Sequence, residues 1–218
     1  MNTSAASERT SEFFDRYARE FNDIYGNKNT PANRVINTIF RRSMKLRYQR
    51  TLRGAEPVAG KTVIDVGSGP GHYSVALAER GAKQVLGVDF APNMIEIATR
   101  AAERAHVTER CEFKLIDFDH FPSDQVFDYA VVMGFMDYMA DPRSIAAKIL
   151  KITGEKAFFS FPAEGGILAW QRKLRYKARC DLYMYSEAQV RACFAGLPVT
   201  KLTVEPIARD YFVTAYVR

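Results

Sequence analysis

The chain has 218 residues, 47% of them hydrophobic, and a formal net charge of +6, which suits one α/β domain with a substantial core and is short for two. No apolar run reaches the roughly 18 residues that span a bilayer, and the opening "MNTSAASERTSEFF" lacks the basic-then-apolar layout of a secretory signal. Membrane insertion is therefore excluded, and cytoplasmic residence is the expectation.

The first residues are polar. Phe13, Phe14, Tyr17, Phe21, Ile24 and Tyr25 then fall on one helical stripe that Gly26 can stop. A second helix is predicted from Pro31 to Gly54. Its segment "RRSMKLRYQRTLR" is basic, but Phe40, Met44, Tyr48 and Leu52 recur at i, i+4, so the cations are expected on the opposite, solvated face. The pattern then changes. "TVIDVG", "QVLGVD", "CEFKLID", "FDYAVVMG" and "KAFFSFP" read as strands. "GHYSVALAERG", "APNMIEIATRAAERA" and "DPRSIAAKILKIT" read as helices between them. Such alternation predicts a parallel sheet wound by crossover helices. A less regular stretch from Ala163 to Tyr185 is rich in aromatics and cations, including the second basic run, "RKLRYKAR". "SEAQVRACFAGLP" is a further helix, and "PVTKLTVEPI" with "RDYFVTAYVR" an antiparallel strand pair. Cys111, Cys180 and Cys193 form no CxxC pair and no Cys/His cluster at zinc spacing. They read as reduced thiols without a catalytic role, and no metal is expected.

The turn "GSGPG" follows the first strand. Gly67, Gly69 and Gly71 make G-x-G-x-G, whereas a dinucleotide fingerprint would put its third glycine where His72 stands. Asp65 sits at the strand end beside the turn, a poor neighbour for a diphosphate and a good one for a cationic or N–H-rich group. Asp89 ends the second strand about 20 residues on, where an acid can accept both hydroxyls of a ribose. A nucleoside is expected, without a diphosphate.

"VIDVGSGPG", "VLGVDFAPNMIEIA", "LIDFDHFP" and "FDYAVVMGFMDYMADP" resemble, in order, the motifs of the class I S-adenosylmethionine-dependent methyltransferases, over Lys61 to Pro162. The resemblance implies an α/β, Rossmann-like fold: a seven-stranded, mostly parallel sheet with helices on both faces and an antiparallel C-terminal strand pair. It implies one methyltransferase domain over 1–218, with a helical cap (1–58), a cofactor-binding core (59–162) and a substrate-side insertion with the final strands (163–218). It implies S-adenosyl-L-methionine as cofactor and S-adenosyl-L-homocysteine as product. By the resemblance, Gly67, Ser68, Gly69 and Gly71 line the methionine part, Asp65 anchors the turn and the amino group, and Asp89 holds the ribose. Phe90 and Met94 pack on the adenine, Asp117 accepts from its amino group and Phe118 supplies a backbone N–H. Met133 and Gly134 touch the methionine end through the backbone, and Tyr17 and Tyr25 reach over it from the N-terminal helices.

Methyl transfer asks the protein mainly for alignment and exclusion of water, and a hydroxyl acceptor also needs a base. Relatives resembling the ubiquinone-biosynthesis O-methyltransferases carry Glu-His before an equivalent Asp-Pro. Here Asp137 and Tyr138 stand there, which makes them, with His72, the catalytic candidates. His120 and His106 are weaker ones. Trp170, Arg172, Arg175, Tyr176, Arg179, Tyr183 and Tyr185 are the candidate acceptor contacts, since aromatic faces and guanidinium groups suit a planar, sugar-like or anionic ligand. The expected partner is a small-molecule acceptor, methylated on a hydroxyl or, alternatively, on an amine or aminosugar. RNA or DNA modification is the competing reading from the basic runs, and a binding protein that has lost turnover is another. Against nucleic acid, the chain has no Pro-Pro of the base-amino methylation motif and no appended binding module. The residues leave the acceptor and the oligomeric state open.

Overall fold

The computed structural model describes residues 31–122, 124–165 and 182–217, with side chains from residue 42 onward. A long helix, α1 (Pro31–Gly54), opens the described part. Leu52 is buried, Met44 and Tyr48 are half-buried, and Arg42, Lys45 and Arg53 are exposed, as the apolar stripe predicts. One cation departs from that pattern. Ser43, Arg47 and Thr51, spaced i, i+4, form a second inward row: Ser43 and Thr51 are buried and the Arg47 side chain is only 12% exposed. A basic residue turns inward here because a buried carboxylate, Asp210, waits for it, and either charge alone would be costly to desolvate.

Then β1 (Thr62–Val66), α2 (His72–Glu79), β2 (Gln84–Asp89), α3 (Pro92–Arg104) and β3 (Cys111–Leu115) wind one half of the sheet. Next come β4 (Phe127–Val132), α4 (Pro142–Lys151), β5 (Thr153–Pro162), α5 (Glu187–Phe194), β6 (Lys201–Ile207) and β7 (Asp210–Tyr216). Short 3₁₀ turns at Phe118–His120 and Met136–Tyr138 follow β3 and β4. The helix starts obey local rules. Asp141 caps α4 by accepting from Ser144 N at 3.1 Å, and Ser186 with Gln189 forms a capping box on α5.

The sheet order is β3-β2-β1-β4-β5-β7-β6. The first five strands pair in parallel, and β7 lies antiparallel between β5 and β6. The predicted seven-stranded, mostly parallel architecture with an antiparallel end is thus what the chain forms. Buried on both faces, β5 sorts its aromatics by alternation. Phe158 packs toward Tyr129 and Phe212, while Phe159 and Phe161 pack on the other side with Phe194, and Tyr185 stands edge-on to Phe161. Among the described residues no helix is long and apolar enough to cross a membrane.

Candidate active site

In a parallel sheet wound this way, ligands meet the carboxyl ends of the strands near the point where strand order reverses. Here that point lies between β1 and β4, and the loops after β1, β2, β3 and β4 carry the predicted residues.

The glycine loop is fastened by its own backbone. Gly67 N and Ser68 N both donate to Val88 O, at 2.9 and 3.0 Å, and Gly71 N donates to Ser68 O at 3.0 Å. Gly67, Gly69 and Gly71 all have positive φ (67°, 51° and 79°). Two of them are also sterically obliged. A Cβ on Gly67 would lie 2.7 Å from the Phe135 ring, and one on Gly71 would lie 2.7 Å from Phe113 and 2.9 Å from Ala98. Gly69 differs: among the described residues a Cβ there would meet nothing within 4 Å.

Asp89, at the tip of β2, holds this loop. One carboxylate oxygen accepts from Gly69 N at 2.8 Å and the other from Ala91 N at 2.9 Å. Asp65 is fully buried and accepts from Ser74 Oγ of α2 at 2.6 Å. Burial pushes its carboxyl up to about 7, with the neighbouring Asp89 adding to the rise. Asp65 therefore ties the loop to the following helix. His72 opens that helix with an exposed side chain, and desolvation by the surrounding protein lowers its imidazole pKa.

Phe90 is half-buried, and Met94 is buried with Ala91 and Ile97 against it. Asp117 caps the 3₁₀ turn after β3, accepting from Asp119 N at 3.1 Å. The Phe118 ring is buried and stacks on Phe121. Lys148 of α4 reaches under this turn and donates to Phe118 O (2.6 Å) and Asp119 O (2.8 Å). His120 and His106 are exposed.

At the end of β4, Met133 is buried and Gly134 has φ 74°. Gly134 N donates to Ser160 Oγ at 2.8 Å, so its carbonyl is what it can offer a ligand. Arg47 meets the same place. Its Nη1 donates to Ser160 Oγ at 3.2 Å and would be 3.5 Å from a Cβ on Gly134. Its Nε lies 3.8 Å from Asp210 Oδ2, which also accepts from Ser43 Oγ. Reasoning from sequence missed Arg47. The available signal was a Ser-x₃-Arg-x₃-Thr row, polar at helical spacing within a basic segment.

Asp137 is buried and Tyr138 half-buried on the 3₁₀ turn after β4. The returning chain ties this turn down. Tyr183 N donates to Asp137 O at 2.9 Å. The Tyr185 hydroxyl lies 3.2 Å from Met136 O and 3.0 Å from Met139 O. Burial raises the Tyr185 phenol pKa, so it stays protonated and able to donate. Tyr185 N also donates to Pro162 O, and Glu164 N to Tyr185 O, which pins the stretch beside the end of β5. Tyr17, Tyr25, Trp170, Arg172, Arg175, Tyr176, Arg179 and Cys180 lie outside the described residues. Cys111 and Cys193 are buried free thiols, and burial pushes Cys111 up to about 12.

The loop has the marks of a ligand cradle. Ser68 Oγ is buried with no hydrogen-bond partner among the described residues. Beside it no described residue stands within 4 Å of where a Gly69 Cβ would lie, and the Asp89 carboxylate stands at the strand tip. A polyol edge fits such an acid, and a hydroxyl-lined glycine turn admits close approach of a ligand to the main chain.

The sheet order, the antiparallel last strand and this acid-fastened glycine loop define a class I, S-adenosylmethionine-dependent methyltransferase domain. A methyltransferase-domain family model matches residues 57–178, over half of the chain, and the chain belongs to that family. Among curated proteins it is similar to the ubiquinone biosynthesis O-methyltransferase of Acinetobacter baylyi, 36% identical over 107 residues, covering 47% of this chain and 44% of that protein. It is also similar to the ribosomal protein L11 methyltransferase of Salmonella arizonae, 32% identical over 126 residues, covering 57% of this chain and 38% of that protein. The chain thus spans under half the length of these curated relatives. The magnesium protoporphyrin IX methyltransferase of Synechocystis, solved with bound S-adenosylhomocysteine, shares the fold at a TM-score of 0.76 and 16% identity, over 97% of this chain and 100% of that one.

Proposed function

We propose that the chain moves a methyl group from S-adenosylmethionine to a hydroxyl of a small-molecule acceptor. The observation that carries this reading is the glycine loop fastened to Asp89, with a buried Ser68 hydroxyl that has no partner, and a Gly69 that has no neighbour over it, among the described residues. When bound, the sulfonium supplies an already activated methyl, so the protein's task is alignment and dryness.

In this reading Asp89 accepts from the ribose hydroxyls. A carboxylate has roughly four acceptor positions, so the bonds to Gly69 and Ala91 are compatible with that role. Gly67, Ser68, Gly69 and Gly71 line the amino-acid part, and Asp65 secures the loop through Ser74. Phe90 and Met94 flank the adenine, and Asp117 with the Phe118 N–H reads its edge. The Met133 and Gly134 backbone meets the ammonium, and the Arg47 guanidinium beside Gly134 meets the carboxylate. Asp137 and Tyr138 face the acceptor, with Tyr183 in reach, and a carboxylate at that point can take the hydroxyl proton. Support for an oxygen acceptor comes from the ubiquinone biosynthesis relative, itself an O-methyltransferase. In this reading the acceptor is chosen by the residues around the ends of β4 and β5.

Titration calorimetry with S-adenosylhomocysteine, NAD and ATP tests the reading. S-adenosylhomocysteine alone is expected to bind, and Asp89→Ala is expected to weaken it by about 1–3 kcal/mol. Binding of NAD or ATP in its place would overturn the proposal. Mass spectrometry of the methylated product after incubation with candidate phenols, sugars and amines then identifies the acceptor atom.

A further inference from the structure

The end of β5 carries a residue that the predicted motifs do not contain. Ser160 is buried in the aromatic run "FFSFP", and its hydroxyl oxygen accepts two hydrogen bonds: from Gly134 N at 2.8 Å and from Arg47 Nη1 at 3.2 Å. These donors belong to different parts of the fold, the loop after β4 and the helix α1. We infer that Ser160 is a positioning residue for the amino-acid end of the ligand. One buried hydroxyl sets both the Gly134 peptide and the Arg47 guanidinium, and so spaces the acceptor for an ammonium from the donor for a carboxylate. The inference rests on the proposed cofactor reading of Gly134 and Arg47.

Three features make the arrangement specific. Arg47 is also drawn to the buried Asp210, with Nε 3.8 Å from its Oδ2, and Asp210 accepts from Ser43 Oγ. The guanidinium is thereby placed by a hydrogen bond to β5 and by the charge of a carboxylate on β7. Gly134, at φ 74°, can present its carbonyl outward while its N–H turns into the sheet toward Ser160. Finally, a zwitterion demands two groups of opposite polarity at a fixed separation. A shared hydroxyl couples those two groups more tightly than independent anchors would.

The test uses two ligands that differ only at this end. S-adenosylhomocysteine carries the amino-acid group, and 5′-methylthioadenosine keeps the nucleoside and sulfur without it. In Ser160→Ala, affinity for S-adenosylhomocysteine is expected to fall about tenfold or more, while affinity for 5′-methylthioadenosine stays within a factor of about two and the thermal midpoint confirms a folded protein. Arg47→Met should lose the same preference, and the Ser160→Ala/Arg47→Met pair should lose little beyond Arg47→Met alone. If Ser160→Ala keeps the full wild-type preference, or loses both ligands equally, Ser160 has no positioning role while the cofactor reading stands. If the wild type itself shows no preference for S-adenosylhomocysteine, the reading of Gly134 and Arg47 fails and the inference fails with it.

Discussion

At the scale of single residues, the two strand-end acids divide the work. Asp89 spends both oxygens on backbone N–H groups and shapes the loop from the surface side. Asp65 does so from within, and its burial has a titration signature. In the unfolded chain it ionises near its ordinary 3.8, and in the fold at about 7. Between those values the native state retains a proton that the unfolded state has released. Its contribution to stability is therefore complete below about pH 4 and is lost as the pH climbs toward 7. Asp65→Asn removes this titration and leaves an acceptor for Ser74. Relative to wild type, the variant is expected to gain stability between about pH 5 and pH 8 in urea unfolding. Parallel stability profiles for the two proteins would place the proton elsewhere. Arg47 marks the limit of sequence reading at this scale. In "RRSMKLRYQR" cations recur too often for any one to stand out. What singles it out is Ser160, 113 positions away in sequence, together with Asp210.

Among the elements, the glycine loop separates fold from binding. Gly71 and Gly69 share a left-handed backbone, but a side chain at 71 runs into Phe113 and Ala98, and one at 69 runs into none of the described residues. Gly71→Ala is therefore expected to cost about 1–3 kcal/mol of stability. Gly69→Ala is expected to cost less stability, about 1 kcal/mol, and to lose S-adenosylhomocysteine affinity, because its methyl fills ligand space. Thermal unfolding and calorimetry on the two variants check the contrast, and equal effects on both measures would collapse it. The loops after β3 and β4 are buttressed rather than strained: Lys148 supports one and Tyr185 the other. The aromatic, cationic stretch around Tyr185 makes it an expected acceptor contact. Its phenol reaches the carbonyls of Met136 and Met139, a contact whose recognition requires knowing that residues 163 and 185 form a bridge.

For the molecule as a whole, the mostly parallel sheet with its antiparallel end, and the glycine turn between strand-end acids, were legible because buried parallel strands, glycine turns and terminal acids are local signals. The Arg47–Ser160–Asp210 assembly was not, since it joins a helix, a central strand and the final hairpin through long-range burial. Such an assembly should make ligand occupancy felt throughout the fold. S-adenosylhomocysteine at a hundred times its Kd adds about 2.7 kcal/mol, which for a domain of this size raises the thermal midpoint by roughly 5–10 °C. Differential scanning calorimetry with and without the ligand measures this, and a midpoint indifferent to the ligand would deny that it binds the native fold in preference to the unfolded chain.

The placement of β7 between β5 and β6 has a consequence for how the protein is made. An interior strand encoded after every one of its neighbours cannot be supplied until the ribosome has passed residue 216. Until then the nascent chain carries β5 with its phenylalanine-rich flank open to any passing strand. The period of greatest hazard for this fold is thus the interval between synthesis of β5 and synthesis of β7, and slow decoding of the hairpin codons would lengthen it.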